Sequence, residues 1–329
     1  MDSPVIDADG LRKAFGQVTA LDGLSLQVPG GTGLGLLGPN GSGPTTPVSI
    51  LSPALRPDAG HATVCGLDVV RDAAAVRATM GFAGQYAAVD PNLTGRENLT
   101  LIGRLSRVAR KQARTRAAEL LAEFGLEAAA DRLVRTYSGG MRRRLDLAAA
   151  LLHHPPVLFL DEQTTGLDPE SRLALWDAVR RLARGGTTVL LTTQYLDEAD
   201  ALADQIAIIK SGRVIDTGTP SALKDRFGTV VMEIEFTARE QAETVLRTLS
   251  ALGYQAKRDG AAVQVGSESG SGAVVPVLRA LDGVVPDPVS VAVREPTLDD
   301  VFRALTADAP ASEATEVTEA LTTEGGTPS

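Results

Sequence analysis

The segment from Gly33 to Gly43 constrains the fold of this chain more than any other. Gly33–Leu37 is a short apolar run with the length of a buried strand, and Leu37 leads directly into the glycine-rich turn Gly38-Pro39-Asn40-Gly41-Ser42-Gly43. An apolar stretch with helical character follows. A buried strand joined to a helix through a tight glycine turn is typical of α/β proteins, whose parallel strands are short and apolar throughout.

Further β-rich runs alternate with helical patterns up to about residue 228. Leu24–Val28 predicts another strand, and Val157–Leu160 and Thr188–Thr192 have the continuous apolar character of buried parallel strands. Ser211-Gly212 predicts a hairpin turn between the apolar run that ends at Ile209 and the next strand. The first part of the chain is therefore predicted to have a mixed-sheet core.

A helical block from about 94 to 153 interrupts these strands. Thr94 and Glu97 form a T-x-x-E capping box, which predicts the start of a helix. Leu120, Leu121 and Phe124 provide the apolar stripe of another helix. We expect a helical subdomain over about 86–155, inserted within a domain of residues 1–228.

A second pattern begins after Gly228. Val230, Met232, Ile234 and Phe236 alternate with polar residues, as in a half-buried strand. The patterns that follow predict the order β-α-β-β-α-β, so residues 229–306 are expected to form a small ferredoxin-like α+β accessory domain. Residues 307–329 are rich in Ala, Glu, Thr and Gly without periodicity, which predicts a disordered tail.

Composition excludes several classes of protein. The chain has 329 residues and a net charge of −9, which disfavours binding of nucleic acid by a broad basic face. Its single cysteine, Cys65, excludes a disulfide framework, and with three histidines it leaves little material for a zinc site. The N-terminus has no secretory pattern, and no apolar stretch approaches the roughly 20 residues needed to span a bilayer.

The glycine turn has the pattern of a phosphate-binding loop. Gly38 to Thr45 fits G-x-x-x-x-G-?-T, with Thr45 placed to coordinate magnesium. Pro44 occupies the position where this pattern requires lysine. Backbone N–H groups of such a turn, together with the N-terminus of the helix, can bind phosphate. An ordinary tight turn remains the alternative for this segment taken alone.

Three further motifs follow in order. They are Ser138-Gly139-Gly140-Met141-Arg142-Arg143-Arg144, then Val157-Leu158-Phe159-Leu160-Asp161-Glu162, then Thr164-Thr165-Gly166-Leu167-Asp168-Pro169. With the glycine turn they resemble the ATPase subunit of ATP-binding-cassette (ABC) transporters over residues 5–228. Gln85-Tyr86, the run from Leu191 to Asp200 and Leu298-Asp299-Asp300-Val301-Phe302 resemble the antibiotic-exporter branch, of the daunorubicin/doxorubicin-resistance type.

The resemblance implies ATP and Mg²⁺ as cofactors and assigns a role to each motif. Thr45, Asp161 and Gln85 are expected at the metal, Glu162 as the base or orienter for the attacking water, and Gln194 in place of the switch histidine. The residues expected at ATP are Phe15, Gly38, Pro39, Asn40, Gly41, Ser42, Gly43, Pro44, Thr45, Thr46, Gln85, Asp168 at the dimer seam and, from the opposite subunit, Ser138, Gly139 and Gly140.

Several of these residues have a simpler interpretation. Phe15 fits a core position, Gln85 a polar loop, Asp168 a helix N-cap before Pro169, and the pair Asp161 and Glu162 a solvent-facing strand end. The residues for which a structural role is the favoured interpretation are Cys65, His153, His154 and the run Arg142–Arg144. The C-terminal motif at 298–302 either holds its unit to a neighbour or packs within it.

Four positions depart from the family pattern: Pro44, Pro47, Pro53 and Gln163. Proline is tolerated in the first turn of a helix, but Pro44 removes both the ammonium group and one backbone donor of the phosphate loop. Gln163 stands where the family usually has proline. Either the site is degenerate, or the printed sequence departs from the gene at 44, 47 and 53; resequencing distinguishes the two.

The resulting hypothesis is the ATP-binding subunit of a drug exporter that confers self-resistance. It requires a separate integral-membrane permease, predicts a homodimer and a peripheral location on the cytoplasmic face of the membrane, and involves no nucleic acid. The alternative is a hydrolysis-deficient nucleotide-binding regulatory subunit, which Pro44 favours. A translation or DNA-repair cassette ATPase fits less well, because such proteins usually carry two cassettes or long coiled coils.

Overall fold

The structure is a computed structural model that describes residues 4–39, 44–84, 88–227, 230–267, 274–282 and 288–306. Its contacts divide the chain into two compact units, with the division between Pro220 and Ser221. The predicted tail, 307–329, lies outside the described residues. None of the described helices is both long enough and apolar enough to cross a membrane.

The first unit contains ten described strands and seven described helices, apart from short 3-10 turns. The strands are β1 Ile6–Phe15, β2 Val18–Val28, β3 Gly33–Leu37, β4 Ala59–Val64, β5 Leu67–Asp68, β6 Met80–Ala83, β7 Val157–Asp161, β8 Thr188–Thr192, β9 Gln205–Lys210 and β10 Arg213–Gly218. The helices are α1 Thr45–Leu51, α2 Ala73–Thr79, α3 Gly95–Leu105, α4 Arg110–Glu123, α5 Gly139–Ala150, α6 Pro169–Arg184 and α7 Leu196–Leu202; α8, Pro220–Phe227, follows at the division.

A six-stranded sheet forms the centre of this unit, in the order β10-β9-β3-β8-β7-β6. Strands β9, β3, β8, β7 and β6 run parallel, and β10 pairs antiparallel with β9 through the predicted hairpin at Ser211-Gly212. All five residues of β3 and of β8 are buried, which confirms the prediction from their continuous apolar sequence. A second, antiparallel sheet has the order β2-β1-β4-β5.

The helical block lies between β6 and β7, as the sequence predicts. The capping box at the start of α3 is confirmed: the N–H of Glu97 donates to Thr94 Oγ1 at 3.2 Å, and the N–H of Thr94 donates to Glu97 Oε2 at 2.9 Å. Leu120, Leu121 and Phe124 are buried together with Leu99 in the apolar cluster of this block. Helices α3, α4 and α5 thus pack into one apolar cluster, which also contains residues of β7, β8 and α6.

Three prolines lie in or next to helix α1, and two of them leave its hydrogen bonds intact. Pro44 is its N-cap residue, with φ −62°, and Pro47 is its third residue. The first four N–H groups of a helix have no intrahelical partner, so neither proline breaks a helical hydrogen bond. The helix ends at Leu51, and Pro53 lies just beyond the C-cap residue with φ 25°. Pro53 therefore follows the end of the helix with a backbone φ that the proline ring disfavours.

The second unit has the predicted βαββαβ order. Its elements are β11 Val230–Glu235, α9 Arg239–Ala251, β12 Gln255–Asp259, β13 Ala262–Ser267, α10 Val274–Leu281, β14 Ser290–Arg294 and a final helix, α11 Leu298–Thr306. The antiparallel sheet has the order β12-β13-β11-β14. Met232, Ile234 and Val263 from the sheet pack with Val245 and Leu249 of α9, which explains the alternating and helical patterns in the sequence.

Candidate nucleotide site

The carboxyl ends of three parallel strands meet at one edge of the six-stranded sheet. Thr192, the last residue of β8, pairs with Leu36 of β3 on one side and with Asp161 of β7 on the other. The glycine turn leaves β3 at this edge. Ligands of open α/β sheets bind at the carboxyl ends of the strands, so the fold places the predicted phosphate loop and the predicted acidic pair at one location.

Asp161 lies between two hydroxyl groups. Thr192 Oγ1 donates to Asp161 Oδ1 at 2.5 Å, and the hydroxyl of Thr45, the first residue of α1, lies near enough to lower the pKa of this carboxylate. The structure thus brings together two of the three residues predicted at the metal; Gln85 lies outside the described residues. A hydroxyl beside a half-buried carboxylate is a suitable oxygen donor set for Mg²⁺, which takes few protein ligands and completes its shell with water and phosphate.

The electrostatics of the acidic pair favour a bound cation. Burial raises the pKa of Asp161, although hydrogen bonds from Thr192 and Thr45 act in the opposite direction. Burial also raises the pKa of Glu162, and the adjacent negative charge of Asp161 raises it further. A carboxylate with a raised pKa is a better proton acceptor near neutral pH. Asp161 is suited to the metal and Glu162 to the water.

The backbone at Glu162 is unusual. Its φ is 50°, in the left-handed region that few residues other than glycine adopt, and its N–H donates to the Thr192 carbonyl oxygen at 3.1 Å. The strand thus ends in a sharp turn held by its neighbour. Backbone strain of this kind occurs at functional sites, where the surrounding structure maintains it.

Gln194 lies near the loop that follows Glu162. Its Nε2 atom is 3.5 Å from Oγ1 of Thr165, and its side chain is exposed. An amide at this position can donate a hydrogen bond to a phosphate oxygen, although it cannot become a cation. The predicted catalytic pair, Glu162 and Gln194, therefore lies on two loops that are in contact through Thr165.

The phosphate loop itself is described only at its two ends. Gly38 and Pro39 follow β3 and are half-buried, whereas Asn40, Gly41, Ser42 and Gly43 lie outside the described residues. At the other end Pro44 and Thr46 are half-buried and Thr45 is exposed. Pro44 places no N–H group and no cation at this end of the loop.

Ser138 begins helix α5, as predicted. Its Oγ accepts a hydrogen bond from the N–H of Met141 at 3.2 Å, and Ser138 and Gly139 are exposed. Gly140 is buried against the Ser171 side chain, where a Cβ atom would clash. The exposed first turn of a helix offers unpaired N–H groups to an anion, so this part of the Ser138–Gly140 segment can face a nucleotide.

Asp168 is the N-cap residue of α6 in this structure. Its Oδ1 accepts from the N–H of Ser171 at 2.9 Å, and its Oδ2 accepts from the Ser171 hydroxyl at 2.7 Å. These bonds lower the pKa of Asp168. Because these bonds involve both carboxylate oxygens, Asp168 acts as a helix N-cap in the isolated chain. Its role near ATP stays a prediction.

Phe15 is half-buried at the end of β1 and is not among the residues of the apolar core. Lys13 Nζ lies 5.7 Å from the centre of its ring. The same ammonium group donates to Asp58 Oδ1 at 2.8 Å. The ring is therefore partly accessible and in contact with a cation, and the role of Phe15 in stacking on adenine stays a prediction.

The arginine run at the start of α5 holds backbone carbonyl groups. Arg142 Nη2 donates to the Tyr137 oxygen at 3.3 Å, Arg143 Nη1 to the Gly84 oxygen at 2.9 Å, and Arg144 Nη1 to the Phe124 oxygen at 3.1 Å. These contacts support a structural role for the run Arg142–Arg144. Each arginine connects the helix to a different chain segment.

Three buried polar residues near this site have no role assigned by the sequence motifs: Thr192, Glu198 and Asp146. Glu198 accepts from Thr164 Oγ1 at 2.9 Å and from Trp176 Nε1 at 3.1 Å, so it connects the loop after Glu162 to α6 and α7. Burial raises the pKa of Glu198. A polar residue at the end of an apolar strand is the signal for Thr192; for Glu198 the signal is its place beside Ala199 on the buried face of α7.

Comparison with known proteins agrees with this geometry. The family model for ABC transporters matches residues 21–165. The daunorubicin resistance ATP-binding protein DrrA3 of Streptomyces coeruleorubidus is 49% identical over 308 residues, covering 94% of this chain and 98% of the relative. The daunorubicin/doxorubicin resistance ATP-binding protein DrrA of Streptomyces peucetius is 52% identical over 255 residues, 77% of each chain.

Solved structures share the fold of the first unit. An ATP-binding subunit of an ABC transporter is 25% identical, with a TM-score of 0.62, over 68% of this chain and 93% of that one. A dimeric ATP-binding cassette in a post-hydrolysis state, bound to ADP and Pi, has a TM-score of 0.59 over 65% of this chain and 98% of that one, at 24% identity. The chain belongs to the ABC transporter family, as one of its ATP-binding, ATP-hydrolysing subunits.

Proposed function

We propose that this chain binds MgATP and drives the export of an antibiotic or another drug through a separate permease. The observation that carries the proposal is the proximity of Thr45, at the start of α1, to Asp161, which ends β7 directly before Glu162. The identity to daunorubicin resistance ATP-binding proteins, 49% over nearly the whole of both chains, supports drug export and self-resistance.

The residues divide into three roles in this proposal. Thr45 and Asp161, with Gln85, would hold Mg²⁺, which would supply neutralisation of the charge on the transferred phosphoryl group. Glu162 accepts a proton from the attacking water, or orients it, and Gln194 donates to the γ-phosphate. Phe15, the residues from Gly38 to Thr46, Asp168 at the dimer seam and, from the opposite subunit, Ser138, Gly139 and Gly140 bind ATP.

This division requires two copies. In the proposed head-to-tail homodimer, the Ser138–Gly140 segment of one subunit faces the phosphate loop of the other, so each ATP lies between two subunits. The dimeric ATP-binding cassette of similar fold supports this arrangement by likeness of fold alone.

The proposed transporter also contains a membrane permease, which this chain would contact. On α3, Leu101 and Leu105 are 42% and 74% exposed, and their spacing of four residues places them on one side of the helix. An apolar pair of this kind fits an apolar helix of the permease. The proposed location is therefore peripheral, on the cytoplasmic face of the membrane.

The alternative function is a nucleotide-binding regulatory subunit without useful turnover. Pro44 favours it specifically, since a charge-assisted hydrogen bond to phosphate is worth about 1.5–3 kcal/mol and this residue can donate none. In a homodimer both sites would carry the same proline. The two functions share ATP binding and differ in hydrolysis.

The decisive experiment compares MgATP hydrolysis by the chain with that of Pro44→Lys and Pro44→Ala. We expect Pro44→Lys to raise vanadate-sensitive turnover by about 10- to 100-fold, because it restores both the cation and the N–H group. Pro44→Ala restores the N–H group alone and should give an intermediate rate. Equal turnover in all three would refute our interpretation of Pro44; absence of hydrolysis in all three, with ATP still bound, would support the regulatory function.

A further inference from the structure

The residues on either side of segment 85–87 are both held by side chains of helix α5. Arg143 Nη1 donates to the carbonyl oxygen of Gly84 at 2.9 Å. Asp146 Oδ1 accepts from the N–H of Ala88 at 2.7 Å. Arg143 and Asp146 are three residues apart and so project from the same side of the helix. The helix that begins at Ser138 therefore fixes the backbone just before and just after the segment that contains Gln85.

Asp146 is an unusual residue for a helix interior. Its side chain is 2% exposed, and no group in the described part of the chain bonds to its second oxygen, Oδ2. Arg143 is the charged group that faces it. A buried carboxylate with one unsatisfied oxygen is costly, and an apolar side chain would be less so. The hydrogen bond from the Ala88 N–H group is thus the favourable interaction that offsets the cost of burying Asp146.

Gln163 connects the same place to the catalytic loop. Its side chain is 3% exposed, and its Nε2 atom donates to the Gly84 carbonyl oxygen, which also accepts from Arg143. Gln163 directly follows Glu162. Proline, which the family usually has here, carries no donor, so this connection belongs to the present chain.

We propose that Asp146 is a positioning residue which, with Arg143 and Gln163, couples the position of helix α5 to Gly84, Ala88 and Glu162. A nucleotide that binds the exposed start of α5 from the opposite subunit would then act on the two ends of segment 85–87 and on the hydrolytic carboxylate of the same chain. The predicted effect on turnover rests on the proposed function, whereas the hydrogen bonds are features of the structure whatever the function is.

The first test measures amide hydrogen exchange of Ala88 in the full chain. Asp146→Ala should expose this N–H group and speed its exchange by about fivefold or more, the factor that corresponds to one lost hydrogen bond. Asp146→Asn keeps a carbonyl oxygen in place and should exchange no faster than the unmodified chain. The amide of Glu97, bonded to Thr94 within α3, is the internal control. Unchanged exchange at Ala88 in Asp146→Ala would overturn the proposal.

The second test measures kcat and KM for ATP in the same variants, in the unmodified chain and in a Pro44→Lys background. Asp146→Ala should lower kcat about fivefold and leave KM nearly unchanged, because Asp146 acts through its hydrogen bond to the Ala88 backbone, and Asp146→Asn should restore kcat. A general loss of folding would instead lower the amount of active protein in both variants. Unchanged kcat in Asp146→Ala would refute the coupling, whereas absence of hydrolysis in every chain would refute the proposed activity and leave the exchange result to decide the anchoring.

Discussion

Pro53 has a backbone φ of 25°, directly after the C-cap residue Ser52 of α1. The pyrrolidine ring favours a φ of about −65°, whereas glycine is the usual residue where a helix ends in the left-handed region. We expect Pro53→Gly to raise the free energy of unfolding by about 1–3 kcal/mol, measured by urea denaturation. Pro57→Gly, at a position without a positive φ, should lower it instead. A less stable Pro53→Gly chain would contradict this account.

Asp146 should make stability depend on pH. Burial raises its pKa from 3.8 to about 6, against the opposing effects of the Ala88 N–H group and Arg143. Between these pH values the folded chain binds more protons than the unfolded chain, so the contribution of Asp146 to the free energy of unfolding falls as pH rises.

Asp146→Asn removes this dependence. The two chains should be similarly stable near pH 4, and the Asn variant should be more stable above about pH 6, by about 3 kcal/mol for a shift of this size. Urea denaturation of both chains across this range measures the difference. A difference that stays constant with pH would show that Asp146 is already ionised in the folded chain at the acidic end.

At the scale of elements, the turn at Ser211-Gly212 illustrates a glycine that is required. Both residues have positive φ, as the tightest hairpin turns demand, and a Cβ atom on Gly212 would lie 2.8 Å from the Ala20 oxygen and from Leu21 Cα. We expect Gly212→Ala to lower the melting temperature by several degrees, equivalent to about 2–3 kcal/mol.

Gly66 provides the matched control for this prediction. Its φ of 75° is close to the 73° of Gly212, but a Cβ atom there would have no neighbour within 4 Å. Gly66→Ala should therefore cost only the backbone strain, about 1 kcal/mol. Equal destabilisation by the two substitutions would mean that the contact with β2 contributes nothing.

The elements that the sequence predicts best are those that are buried on both sides. β3 and β8 have the predicted bounds, because a strand covered on two faces reads as one apolar run between turn residues. β1 was not predicted, and only the end of β2 was. Their pairing has irregularities near Ala8, Leu11 and Lys13, and each irregularity shifts the alternation of buried and exposed residues.

The same contrast holds for the candidate site. Motif spacing predicts Thr45 and Asp161, because both lie next to strands whose carboxyl ends must meet. It does not predict the anchoring of Ala88 by Asp146 or of Gly84 by Gln163, which join residues 58 and 79 positions apart. Such contacts depend on how the helical block packs against the sheet, and no local pattern encodes that packing.

At the scale of the whole molecule, Glu162→Gln tests both the base and the dimer. The amide keeps the size of the side chain but cannot accept the proton, so we expect turnover to fall by about 100-fold or more while ATP binding persists. With MgATP the variant should elute from size exclusion as a dimer, and with ADP as a monomer. Asp197→Asn, an exposed change that affects an ion pair with Arg172, is the control. Retained turnover in Glu162→Gln would exclude Glu162 as the base.

The contact between the two sheets of the first unit has a consequence for how this chain avoids aggregation. β2 and β10 are each the outermost strand of their sheet, and open strand edges readily pair with other chains. Here the Asp22 N–H group of β2 donates to the Gly212 oxygen, and Arg213 of β10 pairs with the Asp22 carboxylate at 2.6 Å. Each edge strand therefore covers part of the other. A change that loosened the turn at Ser211-Gly212 would expose the edges of both β2 and β10 to pairing with other chains.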